Sequence, residues 1–190
     1  MGMRTNETSG ALSREGRRGA LWTVYDSPLG PLTLRGTHER LTALDFPGHG
    51  GHRDDDQHAP EAFADAIEQL EAYFAGDLQC FALALRLAGT PFQRRVWDEL
   101  GAIPYGETIS YRELADAIGR PDRLRAAAAA VGRTPLPIVV PCHRVVAADG
   151  GLTGYRGGLD RKRALLDLER RVAAGRVPEP AWAFRQTALL

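Results

Sequence analysis

Apolar and polar residues alternate in three short runs near the start of the chain: Trp22-Thr-Val-Tyr-Asp-Ser27, Pro31-Leu-Thr-Leu-Arg35 and Leu41-Thr-Ala-Leu-Asp-Phe46. A period of two puts alternate side chains on one face. Each run therefore predicts a half-buried strand, the first two joined by a turn through Pro28-Leu29-Gly30. Residues 47–57 are rich in Gly, His and Asp and predict a loop. From Pro60 the period changes: Phe63, Ile67, Leu70 and Phe74 recur at helical spacing, and Gly76 stops the helix. Phe81, Leu83, Leu85 and Leu87 alternate again and predict one more strand.

The second half begins helical. Thr90-Pro91-Phe92-Gln93 is a capping box with proline at the first helical position, followed by Val96, Trp97 and Leu100. After a turn at Ile103-Pro104-Tyr105-Gly106, Ser110-Tyr111-Arg112-Glu113 forms a second capping box. Its helix carries Leu114, Ala117 and Ile118 and ends at Gly119. Arg120-Pro121-Asp122 breaks the chain before a third helix, Arg123 to Val131, which is almost pure alanine with Arg125 near its start. Two short helices joined by so tight a turn are a helix-turn-helix candidate. The alanines suit a helix pressed against a DNA groove, and equally a helix packed closely on its neighbour; both readings stand. Ile138-Val139-Val140 reads as a strand, Asp149-Gly150 as a hairpin turn, and Leu159 to Arg170 as a final helix with Leu165, Leu166 and Leu168 buried. The whole is an α/β chain of the α+β kind. Its expected parts are a disordered leader (1–19), a first domain (20–88), a second (89–170) and an irregular tail (171–190).

With 190 residues, 44% hydrophobic and 25% charged, the chain can bury a real core and has the make-up of a soluble globular protein. It has no run of 18 apolar residues, and the first 18 residues lack an apolar secretory core. The formal net charge is zero, so no global field draws it to nucleic acid. The charge is unevenly spread: residues 89–170 carry 13 Lys and Arg against 10 Asp and Glu. Every basic residue but Lys162 is arginine. His49, His52 and His58 lie in a loop without the spacing of a metal site. Two cysteines, Cys80 and Cys142, make neither a disulfide framework nor a zinc cluster. A free thiol with work to do suits a reducing compartment, so a cytoplasmic location is expected.

The densest chemistry is Pro141-Cys142-His143-Arg144-Val145. Thiolate is the reactive form of cysteine, and neighbouring cations or an imidazole base favour it. The string thus points to attack by the Cys142 sulfur on an electrophilic carbon. Adjacent residues on an extended strand face opposite ways, so His143 can serve Cys142 only if the chain turns there or a water bridges them. Downstream, the small residues around Gly157 and Gly158 leave room for a ligand to approach closely.

Ile138-Val-Val-Pro-Cys-His-Arg-Val-Val146 resembles the signature of the O6-alkylguanine-DNA alkyltransferases, the methylated-DNA–protein-cysteine methyltransferases. Pro104-Tyr-Gly-Glu-Thr-Ile-Ser-Tyr111, Thr153-Gly-Tyr-Arg-Gly-Gly158 and the helix ending Leu-Asp-Leu-Glu169 extend the likeness to roughly residues 22–170. The resemblance implies a ribonuclease-H-like N-terminal domain followed by a winged-helix-like C-terminal domain. It implies irreversible, single-turnover transfer of an alkyl group from O6 of guanine onto Cys142 after base flipping, with O4 of thymine as a further candidate position. His143 then matches the proton relay, Glu169 its orienting acid, and Tyr111 a hydrogen-bond donor to the departing guanine. Arg125 matches the finger that fills the flipped base's place, with Ala126, Ala127 and Arg144 at the DNA. Pro137, Tyr155, Arg156 and Gly157 match the substrate loop. The implied partner is double-stranded DNA containing O6-alkylguanine, met by a monomer, with no membrane, cofactor or metal; cooperativity along DNA stays open.

In one place the chain departs from the pattern. Thr134 stands where the family usually has asparagine in the active-site turn. A threonine hydroxyl bonds locally but offers no amide donor, so slower transfer is expected. Three rivals remain: a lesion sensor, which would lack the cysteine; a winged-helix regulator, which would dimerise on palindromes; and a cysteine hydrolase, which would turn over repeatedly.

Overall fold

The computed structural model describes residues 20–175. The expected leader lies outside the described residues, as does the chain from residue 176. The first three alternating runs form an antiparallel meander: β1 (Leu21–Ser27), β2 (Gly30–Gly36) and β3 (Leu41–Asp45). Gly30 closes the first hairpin at φ 96°, and the Ser27 hydroxyl donates to its carbonyl at 2.6 Å. A two-residue strand, β4 (Gln57–His58), adds to β1 in parallel, giving the order β3-β2-β1-β4. No pattern in the sequence announced β4, because its pairing comes from the edge of β1 and not from its own polar side chains. A 3-10 turn at Pro60–Phe63 leads into α1 (Ala64–Ala75), which Gly76 caps in the left-handed conformation as expected.

Residues 81–87 are not a strand. Two backbone hydrogen bonds, Leu41 N to Ala84 O and Arg86 N to Leu41 O, leave a single bridge between Leu41 and Leu85. Alternation here reflects an extended segment laid over the core with half its side chains inward, which needs no ladder.

Both capping boxes exist. Thr90 and Gln93 close the start of α2 (Pro91–Ala102), and Ser110 and Glu113 that of α3 (Tyr111–Ala117). A 3-10 turn at Pro121–Arg123 precedes α4 (Leu124–Val131). Helices α2, α3 and α4 pack on one another, and the indole of Trp97 on α2 donates to the Ala130 carbonyl on α4 at 2.9 Å. The short strand β5 (Ile109–Ser110) pairs in parallel with β6 (Val145–Val146). This pairing fixes Tyr111, first residue of α3, beside the end of the Cys142 segment. The last helix, α5 (Leu159–Ala173), runs three residues past the expected end at Arg170. Buried residues from both halves form one continuous apolar cluster, from Leu21 to Leu168.

The run Ile138–Val140 is not a strand either. Prolines at 137 and 141 remove two donors, and the segment coils so that Val140 N bonds Leu136 O. Buried Ile138 takes φ 76°, a left-handed conformation that costs a β-branched residue on the order of 1–3 kcal/mol. That strain sits four residues before Cys142.

The capping box of α2 is exposed and independent of the core. Thr90→Ala is expected to lower the free energy of unfolding in urea by about 1 kcal/mol.

Candidate active site

Cys142, His143 and Arg144 form a 3-10 turn, with Arg144 N bonded to Pro141 O and Val145 N to Cys142 O. The chain turns here, yet no hydrogen bond joins His143 Nδ1 to the Cys142 thiol, so the route through a water stays open as well. Three residues per turn rotate successive side chains by about 120°. All three side chains are buried, with Cys142 at 4% exposure.

The turn is held by one carboxylate. Glu169, on α5 and fully buried, accepts five hydrogen bonds. Its Oε1 takes the Tyr73 hydroxyl (2.8 Å), His143 Nε2 (2.8 Å) and Arg144 Nη2 (2.9 Å). Its Oε2 takes Arg144 Nε (2.8 Å) and the Gly106 amide (3.1 Å). The Arg144 guanidinium also donates to Ile103 O at 2.6 Å and lies over the Tyr105 ring. Gly106 must be glycine: at φ 80° a Cβ would sit 2.8 Å from that of Ala173.

Burial alone would raise the Glu169 pKa, but the imidazole and guanidinium outweigh it and hold it at about 2. Burial also lowers the His143 pKa, against the pull of Glu169 and with help from Arg144 and Lys162. The imidazole is therefore neutral at pH 7. Since Nε2 faces a carboxylate, it carries the proton, and Nδ1 presents a lone pair. Nδ1 has no hydrogen-bond partner among the described residues.

The Cys142 thiol is pushed up to about 12 by burial, while the Thr134 hydroxyl, Lys162 and Arg156 pull it down. Thr134 is buried, and its hydroxyl proton goes to Val131 O at 2.7 Å. A hydroxyl has one proton, so Thr134 can meet a thiolate with a donor only by releasing Val131. Tyr111 and Tyr155 both lie within electrostatic reach of the sulfur, and burial raises both phenols. The Tyr111 hydroxyl is 3.5 Å from the carbonyls of Thr153 and Gly154; that of Tyr155 is enclosed without a partner. Lys162, fully buried, donates to Val145 O at 2.6 Å and Thr153 O at 2.9 Å, tying the loop 153–158 to the Cys142 turn. Pro137 is buried in the coil before Cys142, and Gly157 in the loop, where a Cβ would strike the Phe46 ring.

Two expectations at the DNA face need correction. Arg144 cannot reach DNA, because it is buried and spent on Glu169 and Ile103. Ala127 is also fully buried, facing the helix core. The solvent face of α4 carries instead Arg125, Ala129 and, just past the helix, Arg133, each four residues apart, with Ala126 half-buried beside them. The sequence reading missed Tyr73, Gly106 and Lys162. Only Lys162 left a signal, as the single lysine among arginines. Among the described residues no three His, Cys, Asp or Glu side chains could hold a metal ion.

The sign of the pH dependence follows from these shifts. His143 in the folded protein titrates below 6.5, so the unfolded chain binds the extra proton and stability falls as pH drops from about 6.5. Glu169 titrates at about 2 instead of 4.5, so its contribution is complete above 4.5 and lost as pH falls toward 2. Urea midpoints measured from pH 8 to 3 are expected to decline in both windows. His143→Gln should remove the first decline and weaken the second, since the imidazole is one of the two groups that hold Glu169 low.

Known proteins match this arrangement along nearly its whole described length. The family model described as the ribonuclease-like domain of 6-O-methylguanine DNA methyltransferase matches residues 20–87, and that of its DNA-binding domain residues 91–171. The methylated-DNA–protein-cysteine methyltransferase of Mycolicibacterium paratuberculosis is 54% identical over 156 residues, covering 79% of this chain and 92% of that relative. The protein of that name from Methanosarcina acetivorans is 46% identical, covering 78% of this chain and 97% of the relative. The crystal structure of Mycobacterium tuberculosis OGT in complex with DNA superposes with a TM-score of 0.77 at 51% identity, over 80% of this chain and 94% of that one. On these matches, in a fold with a ribonuclease-like first domain and a DNA-binding second domain, the chain belongs to the methylated-DNA–protein-cysteine methyltransferase family.

Proposed function

We propose that the protein repairs DNA by direct reversal, taking the alkyl group of O6-alkylguanine onto Cys142 and keeping it. The observation that carries this reading is a buried thiol followed in the same turn by a neutral imidazole, whose Nε2 is held by Glu169 and whose Nδ1 has no partner among the described residues. In the step itself, a bond forms between Sγ and the alkyl carbon as the bond from that carbon to O6 breaks. The electron pair leaves with guanine. The thiol proton passes to His143 Nδ1, directly or through one water, and the resulting imidazolium is stabilised by Glu169. Tyr111 donates a hydrogen bond to the departing base. Burial at Cys142 keeps the sulfur as a thiol at neutral pH, so a base at hand is needed for the attack.

Arg125, exposed at the start of α4, fills the gap left by the flipped nucleotide, and the face with Ala126 lies along the groove. Pro137, Tyr155, Arg156 and Gly157 enclose the alkylated base. The domains meet near Gly89, the first spanning 20–88 and the second 89–170. The protein acts as a monomer on double-stranded DNA, in the cytoplasm. No helix is long and apolar enough to cross a membrane, among the described residues.

Intact-protein mass spectrometry after mixing with a duplex containing O6-methylguanine tests the reading. A gain of one methyl group is expected, mapped to Cys142 and absent in Cys142→Ser. Repeated lesion loss per molecule, or loss without Cys142, would refute it.

Thr134 gives a second test. Asparagine has two amide protons, enough to keep Val131 and also meet the sulfur. Thr134→Asn is expected to speed methyl transfer, on the order of tenfold for one added hydrogen bond to a charged group. An unchanged single-turnover rate would show that the threonine costs nothing.

A further inference from the structure

A buried carboxylate of the first domain is held against the substrate loop of the second. Asp45, the last residue of β3, is 2% exposed. Its Oδ2 accepts from Arg35 on β2 at 2.9 Å, and its Oδ1 forms an ion pair with Arg156 Nη2 at 2.9 Å. The Gly50 backbone closes over the carboxylate so tightly that a Cβ there would overlap it. Next to it, Phe46 packs edge-on against Tyr155, its ring 5.9 Å away, and leaves no space for a side chain at Gly157. Arg161 lies over the other side of Phe46, donating to Leu29 O in the β1–β2 turn at 2.8 Å and to Gly157 O at 2.9 Å. The end of β3 and the first hairpin thus grip residues 155–157 from outside, while Lys162 holds Thr153 from inside. Arg156 is ion-paired with Asp45 and lies within electrostatic reach of the Cys142 sulfur.

We infer that Asp45 is a positioning residue for alkyl transfer: through Arg156 it sets where the substrate loop stands over Cys142, giving the ribonuclease-like domain a part in the reaction. The argument is one of charge and distance. An arginine between a thiolate and solvent would spend its charge on water. Fixed by a buried carboxylate, its charge keeps a set place relative to the sulfur at little further entropic cost. Arg156 already lowers the Cys142 pKa from that position. Arg35 has the other task, neutralising Asp45 within the sheet, and is far from the loop in the chain.

This inference rests on residues 153–158 forming the substrate loop of an alkyltransferase. The experiment compares single-turnover methyl transfer from O6-methylguanine duplex, at saturating DNA, in the full chain and in Asp45→Asn, Arg156→Gln, their double variant and Arg35→Gln. Asp45→Asn and Arg156→Gln are each expected to slow transfer on the order of tenfold, the scale of a modest misplacement. The double variant should be no slower than the worse single one. Asp45→Asn should leave the affinity for undamaged duplex unchanged, and Arg35→Gln should slow transfer less than Asp45→Asn. Arg156→Lys, which keeps the charge but shortens the reach, carries the test if Asp45→Asn does not fold, with transfer slowed on the order of fivefold expected. Wild-type rates in Asp45→Asn or Arg156→Lys, or an equal loss in Arg35→Gln, would overturn the inference. Wild-type protein that leaves the lesion intact would instead overturn the alkyltransferase reading beneath it.

Discussion

A single buried charge organises the structure. An ionised carboxylate out of water costs several kcal/mol unless its lone pairs are met. Glu169 meets that cost with five donors drawn from three places besides its own helix: Tyr73 on α1, Gly106 in the turn after α2, and the His143-Arg144 pair. Each of those segments is thereby fixed relative to α5. The first domain is included through Tyr73, which lies within the apolar core shared by the two halves. Burial keeps the imidazole neutral against the pull of the carboxylate, and the charge of Arg144 adds to that effect.

Around the sulfur the balance is different. Desolvation dominates and the cations only moderate it, so Cys142 rests as an unreactive thiol. Its activation depends on groups that are themselves secured by buried contacts. Nδ1 is oriented through Nε2, the loop through Lys162, and Arg156 through Asp45. A buried thiol in such a frame resists casual electrophiles and reacts with a carbon brought into line with it.

How much of this was visible beforehand varied by kind of signal. Helix starts were legible because capping boxes are local: Thr90 with Gln93 and Ser110 with Glu113 each satisfy their own backbone. The meander was legible from alternation. Residues 81–87 and 138–140 looked like strands for the same reason, yet the first has one bridge and the second is coiled between two prolines. A ladder requires a partner edge, and no residue pattern states whether one is free. Cys142, His143 and Glu169 were legible through the resemblance, whose motifs fix their positions. Arg144, placed at the DNA through the resemblance, instead finds its partner 25 residues away in Glu169. Tyr73 and Asp45 were invisible, one hidden in a helix's apolar stripe and the other at the end of a strand. Their significance comes from contacts across domains that chain order does not record.

The depth of the sulfur constrains how damage is met. At 4% exposure, Cys142 is beyond the reach of a base that stays stacked in a duplex. The lesion must be brought to it, at a cost of a few kcal/mol for unstacking and unpairing. The protein has no net charge with which to recover that cost at long range. Recovery has to be local, and the structure offers it in two places. Arg125, Ala129 and Arg133 form one slim face on α4, small enough in the middle for close approach and cationic at both ends. On the proposed reading, the aromatic and cationic loop at Tyr155-Arg156 gives the extruded base a second set of contacts. The loop is tied to the first domain through Asp45 and to the second through Lys162, so on the proposed reading both domains place the contacts that meet the base.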